Sequence, residues 1–201
     1  MELVAEELIA DINAAGVNDV ILVGHSQGGQ AMSLMAEMQP ALFRRLIYVS
    51  CSIPKPGQTV LQMIGNSVCG TNPDGVGWPV DPGTTTMDQL YELMFCNDMT
   101  ESQAKGFLAE LGPDQWPTAT YCYTDWRNGH LDTIPSSYVR CLRDNILPLA
   151  WQDIFAERFK AERTVTVDAG HQAMNTPPHA LAEALLREAR GEAVVGAPKF
   201  S

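Results

Sequence analysis

Apolar residues in this chain fall into two kinds of run, and their alternation gives the first view of its architecture. Val20-Ile21-Leu22-Val23 and Leu46-Ile47-Tyr48-Val49 are continuous and rich in β-branched residues, as expected of strands buried on both faces of a parallel sheet. Tyr138-Val139-Arg140-Cys141-Leu142 and Thr164-Val165-Thr166-Val167 predict a third and a fourth strand. Elsewhere the spacing shifts to three and four. Val4, Leu8 and Ile12, with Ala5 and Ile9 beside them, predict an opening helix closed by Gly16. Ala31, Met32, Met35 and Met38 predict a second helix, ended by Pro40. From Pro40 a short turn containing Arg44 and Arg45 leads to the second strand, which makes strand, helix, strand a right-handed parallel crossover. Trp151, Ile154 and Phe155 mark a helix after Pro148. The last helix has Thr176 as cap, Pro177 in its first turn, and Leu181, Leu185 and Leu186 along its buried side. The tail after Gly191 is expected to fray.

Between the second and third strands the pattern breaks. Gly, Pro, Asn and Thr crowd Pro54-Lys55-Pro56-Gly57 and Gly70-Thr71-Asn72-Pro73-Asp74-Gly75. Two short helices are predicted inside this stretch: Met87 to Phe95, and a segment capped by Thr100 that runs through Glu101, Ala104, Phe107 and Leu111. Trp78, Trp116 and Trp126 also lie here. The whole reads as one α/β domain over residues 1-201, with a core of 1-51 and 136-201 and a cap insertion of about 52-135. The cap aromatics either line an apolar pocket or give the insertion a small core of its own.

Composition narrows the class. With 201 residues, 45% hydrophobic and 18% charged, the chain is long enough for one sizeable core. No apolar run approaches the roughly 20 residues that span a bilayer, and Glu2, Glu6 and Glu7 replace the positive start of a signal peptide, so a cytoplasmic protein is expected. A net charge of -11 repels phosphate backbones and anionic membranes, which argues against nucleic-acid or membrane partners. The five cysteines, Cys51, Cys69, Cys96, Cys122 and Cys141, form no C-x-x-C pair; most are expected as buried thiols, with a Cys69 to Cys96 bridge left open. The four histidines show no metal-binding spacing, so acid–base chemistry is the expected use.

The candidate chemistry centres on Gly24-His25-Ser26-Gln27-Gly28. This G-x-S-x-G sequence sits between a strand and a helix, where a tight turn holds a serine hydroxyl clear of the backbone. The helix that follows aims its free N–H groups at any oxyanion formed beside Ser26. A serine hydroxyl is a poor nucleophile at neutral pH, so it needs a histidine base and a carboxylate that orients the base. Asp144 follows the third strand and His171 follows the fourth, giving the chain order Ser, Asp, His at successive strand ends. His25, His130 and His179 end no strand. Asp144 has a rival reading as a turn residue beside Arg143, and Asp168 is better placed to brace the loop before His171.

At this point the chain resembles the α/β-hydrolase family, and within it the methyl esterases and hydroxynitrile lyases. Gly24-His25-Ser26-Gln27-Gly28-Gly29, Tyr48 to Gly57, Tyr138 to Asp144 and Asp168-Ala169-Gly170-His171 carry the likeness. The resemblance implies a parallel sheet flanked by helices, Ser26 as nucleophile, His171 as base, Asp144 as orienting acid and the Gln27 N–H as one oxyanion donor. It implies a small ester as substrate and no cofactor. In some relatives the acid follows the strand after the elbow; here that position reads Ser50-Cys51-Ser52, which favours Asp144. In the lyases a lysine follows the histidine, and Gln172 in its place favours ester hydrolysis over cyanohydrin cleavage. A small-molecule binding protein with little turnover is the second reading, and a lyase, which would need a proton-managing group in place of the absent lysine, is the third.

The chain departs from the family before the elbow. Only 25 residues precede Ser26, where family members carry several strands, a helix and the second oxyanion donor. Without those strands the elbow strand becomes a sheet edge. The expectation is a fold lacking its N-terminal part, its edge covered by a missing segment or by a second copy in a homodimer.

Overall fold

Four parallel strands form one sheet in the order β1-β2-β3-β4: β1 (Val20–His25), β2 (Phe43–Val49), β3 (Ser136–Cys141) and β4 (Arg163–Val167). The structure is a computed structural model that describes residues 1–111 and 117–191. Trp116 and the tail after Gly191 lie outside the described residues. α1 (Glu2–Ala14) opens the chain and α2 (Gly28–Met38) joins β1 to β2. The segment between β2 and β3 carries α3 (Val60–Ile64), α4 (Met87–Phe95), α5 (Glu101–Glu110) and the short α6 (Thr118–Tyr121). α7 (Leu149–Arg158) joins β3 to β4, and α8 (Pro178–Ala189) follows β4.

Side chains alternate across the two central strands, so each strand feeds two cores. Leu46 and Tyr48 of β2 and Tyr138 of β3 face one layer with Met32, Met35, Trp151, Phe155 and Phe159. Ile47 and Val49 of β2 and Val139 of β3 face the other, against Val167, Leu181 and Ala184. Tyr48 stacks on Phe159 with ring centroids 4.1 Å apart. Val60, Met63, Val76 and Trp126 of the insertion join the first of these cores. The insertion therefore packs on the domain and has no separate core built from those side chains.

Several expectations are corrected. β1 is not buried on both faces, since Val23 is 45% exposed; among the described residues only β2 pairs with it, the edge position expected where the preceding strands are missing. The apolar run alone could not reveal this, since periodicity does not report neighbours. Arg44 and Arg45 lie within β2 and not in a turn; a 3-10 turn at Pro40–Leu42 leads straight into the strand. Arg45 is accommodated by donating to Ser137 Oγ on β3 at 3.0 Å. Thr176 does not cap α8, since its hydroxyl donates to Asp98 Oδ2 at 2.8 Å and Pro177 occupies the cap position. Leu186 is 55% exposed, and the buried face of α8 is Leu181, Ala184 and Glu188. In α1, Ala5 and Ile9 are buried while Leu8 faces solvent. All five cysteines are free thiols, so Cys69 and Cys96 are not joined. Cys51, Cys96 and Cys141 are buried, whereas Cys122 is exposed.

The helices of the insertion are set by their caps. Thr86 and Thr100 each accept a hydrogen bond from the backbone N–H of a glutamine three residues on, whose side chain bonds back to the cap. Thr59 does the same with Gln62 and starts α3, a helix that the loop-like composition had hidden.

Candidate active site

The carboxyl ends of the strands converge because the sheet ladder continues into the loops. The Ser26 N–H donates to Val49 O at 3.1 Å, the Ser50 N–H to Val139 O at 2.9 Å, and the Leu142 N–H to Val167 O at 3.0 Å. These bonds lay the elbow, the Ser50 loop, the Asp144 loop and the His171 loop side by side along one rim.

Ser26 has φ of 52°, a left-handed conformation that is uncommon outside glycine and concentrates at functional turns. The turn is tightly enclosed: a β-carbon on Gly29 would lie 2.6 Å from Cys51 Cβ, just past the end of β2, and 2.9 Å from Phe159 Cζ, at the end of α7. Gly28, the last glycine of the motif, has open space around it. Close approach is thus made at Gly24, where a β-carbon would collide with Met32 Sδ, and at Gly29 just after the motif. Gln27 occupies the cap position of α2, and its N–H takes no partner among the described residues.

Asp144 is buried and saturated with donors. Its Oδ2 accepts from His171 Nδ1 at 2.7 Å and from Ser50 Oγ at 2.5 Å, while Oδ1 accepts the N–H groups of Ile146 at 2.7 Å and Leu147 at 2.9 Å. Burial alone would raise its pKa, but the His171 charge and these hydrogen bonds outweigh it and hold the carboxyl below its ordinary range. The bond also fixes His171 with Nδ1–H toward the acid, which leaves Nε2 free as the basic nitrogen. Ser50 stands where some relatives carry the acid, and it serves the acid from there. Its role was not legible in the sequence; its own φ of 40° marks it as a special position.

His25 braces the same loop from below. Its Nε2 lies 2.8 Å from the backbone oxygen of His171, and its ring sits 4.6 Å from the His171 ring. A carbonyl oxygen only accepts, so His25 must donate from Nε2. Burial, reinforced by the neighbouring His171, lowers its pKa to about 4, so the ring stays neutral near pH 7. Asp168 braces the loop as expected, through an ion pair of 2.8 Å with Arg143 Nε.

Ser26 and His171 line one cavity of about 300 Å³ together with Gln27 and Ser52. Its remaining wall is apolar and comes mostly from the insertion: Met63, Trp78, Met87, Met94 and Phe95 among others. The structure brings Asp144 and His171 into direct contact. It leaves the Ser26 hydroxyl without a hydrogen bond to His171 among the described residues, although the two share the cavity. Tyr121 adds a polar point to the wall, its hydroxyl donating to Gln27 Oε1 at 3.3 Å. Among the described residues, no group of three His, Cys, Asp or Glu side chains is placed to hold a metal ion, and no helix is long and apolar enough to cross a membrane.

A parallel sheet with an elbow at the end of one strand and a histidine and an acid at the ends of two others defines a hydrolase-like α/β class. The chain belongs to the alpha/beta hydrolase family, whose model matches residues 2–184. It is 28% identical over 188 residues to a pyrethroid hydrolase of Sphingobium wenxiniae, a match covering 88% of this chain and 66% of that relative, just under two thirds of its length. The crystal structure of a pyrethroid hydrolase from Sphingobium faniae superposes with a TM-score of 0.64 at 24% identity, covering 92% of this chain and 77% of that one. A methylesterase from Arabidopsis matches with a TM-score of 0.64 at 21% identity, covering 87% and 70%. At these identities the two solved structures bear on the fold. The four-stranded sheet is consistent with a shortened version of it.

Proposed function

We propose that this chain is a serine carboxylester hydrolase acting on small, uncharged, hydrophobic esters. The observation that carries the reading is the Asp144–His171 bond of 2.7 Å beside a cavity that also takes in Ser26 at its strained elbow. In this reading His171 Nε2 removes the Ser26 proton as Oγ attacks the ester carbonyl. The Gln27 N–H stabilises the oxyanion. His171 then returns the proton to the leaving alcohol, and water repeats the cycle on the acyl-enzyme. The open Ser26–His171 bond is compatible with this order, since such bonds often tighten only when substrate is bound. The methionine- and aromatic-rich wall supports an apolar acyl or alcohol group, as does kinship with a protein named for pyrethroid hydrolysis.

A second reading, a binding protein with little turnover, is favoured by that same unformed bond. The two separate cleanly. Ser26→Ala should abolish p-nitrophenyl ester turnover, and a fluorophosphonate probe should add its mass to Ser26 in the unaltered chain. Turnover that survives the substitution would remove Ser26 from the mechanism. Ligand-induced thermal stabilisation with no adduct would support the binding protein instead.

A further inference from the structure

Asp98 lies between α4 and α5, in the insertion, with its side chain fully buried. Its Oδ2 accepts from the Gly170 N–H at 2.6 Å and from Thr176 Oγ1 at 2.8 Å. Arg143 Nη2, 3.9 Å away, is the nearby cation. Oδ1 is buried with no hydrogen-bond partner and rests against Gly170, where a β-carbon would come within 2.6 Å of it. The neighbouring Asn97 donates from Nδ2 to Arg143 O at 2.6 Å. Two adjacent insertion residues thus grip the residues immediately before His171 and immediately before Asp144.

A buried carboxylate with one oxygen unsatisfied carries a desolvation penalty that an apolar anchor would avoid, so its contribution is better sought in orientation than in stability. Its geometry supplies that contribution. The Gly170–His171 dipeptide is fixed at its N–H end by Asp98 and at its C=O end by His25, which donates to His171 O at 2.8 Å. With both flanking peptide groups held, the imidazole has little freedom except rotation about its own side-chain bonds. One of those clamps comes from the sheet and the other from the insertion.

We infer that Asp98 is a positioning residue: by holding the Gly170 amide it sets the His171 ring against Asp144 and toward Ser26, so that docking of the insertion helps assemble the reactive geometry. This rests on the reading of Ser26, His171 and Asp144 as a serine hydrolase site. Asp98 does not line the substrate cavity, so its loss should act on turnover and not on substrate affinity.

The test is steady-state kinetics with p-nitrophenyl butyrate on the whole chain and on Asp98→Ala, Asp98→Asn and Gly170→Ala, with Ser26→Ala as control. Misplacement of a reacting group by about 1 Å can cost on the order of 100-fold, so Asp98→Ala should lower kcat roughly 30- to 100-fold with KM changed less than about threefold. Asp98→Asn keeps one acceptor oxygen for the Gly170 N–H and should recover kcat to within about fivefold of the parent. Gly170→Ala leaves the carboxylate in place but forces it, together with the Asn97 amide beside it, off the Gly170 backbone. It should reproduce the alanine defect, and it decides the matter if Asp98→Ala does not fold. Independently of turnover, the downfield proton NMR resonance of His171 Nδ1–H should be present in the parent and broadened or lost in Asp98→Ala and Gly170→Ala. A folded variant with parental kcat and an unchanged resonance overturns the inference, as does a defect confined to KM. If Ser26→Ala retains turnover, the hydrolase reading falls instead, and the resonance alone then decides whether Asp98 orients His171.

Discussion

Replacing Asp144 with asparagine changes one oxygen to NH2 and leaves the shape intact, which makes it a sharp probe of the acid's role. The two backbone donors on Oδ1, at 2.7 and 2.9 Å, hold the remaining oxygen in place. The new NH2 then faces His171 Nδ1 and Ser50 Oγ, which both donate to Oδ2 in the unaltered protein. His171 can meet an NH2 only by presenting a bare Nδ1. The proton moves to Nε2, and the nitrogen that should accept from Ser26 becomes a donor. Loss of the correct tautomer costs on the order of 10⁴ in kcat. Two charge-assisted bonds also become neutral ones, a loss of roughly 1 kcal/mol each and about 2 kcal/mol of stability in all. The sign with pH follows from the lowered carboxyl pKa. The stabilisation is complete above the unfolded-state value of about 3.9 and is lost as pH falls through the lower folded value. Urea unfolding should therefore show a gap between parent and Asp144→Asn that is open near pH 5 and closes in stronger acid. A variant keeping more than about a tenth of parental kcat, or a gap that persists unchanged in acid, would refute the assignment.

Further expectations bear on the elbow and on the thiols. Gly29→Ala should lower stability by about 1–3 kcal/mol, because its β-carbon collides with Cys51 and Phe159, whereas Gly28→Ala should fold with stability near that of the parent; thermal melts of the two distinguish them. Cys122 is exposed and should react at once with a thiol reagent such as Ellman's. Cys51 and Cys141, buried and with burial pushing the Cys141 thiol up to about 12 and Cys51 higher still, should react only after unfolding; rapid labelling of either in the native chain would contradict the packing.

The strand, elbow and helix around Ser26 were legible because an apolar β-branched run, a glycine turn and a 3.6-residue period are each local patterns, although the run did not disclose that one face of β1 is partly open. α4 and α5 were legible as short helical stretches, the second through its cap Thr100; the Thr86 cap and the two glutamines that complete the boxes emerged only in the structure. α3 carries that signal too, at Thr59 and Gln62, but is only five residues long and sits in loop-like surroundings. Leu8 and Leu186 were misread because a helix stripe is wider than the face that finds a neighbour, and only packing decides which rows are covered. For the site, chain order pointed to Asp144 and His171. Ser50, Asp98 and His25 could not be found that way, since each bonds a group 72 to 146 positions distant, and in two of the three cases that group is a backbone atom.

β1 behaves as a beam supported along one side. Its ladder to β2 ends at His25↔Val49, and Ser26 stands one residue beyond that tip. A strand held on one flank keeps freedom to twist about it. Anything that came to lie along the outer rim of Val20–Gly24 would stiffen the Ser26 elbow without entering the cavity. If the chain hydrolyses esters as proposed, its rate should then depend on the company this rim keeps, even when every side chain in the cavity is unchanged.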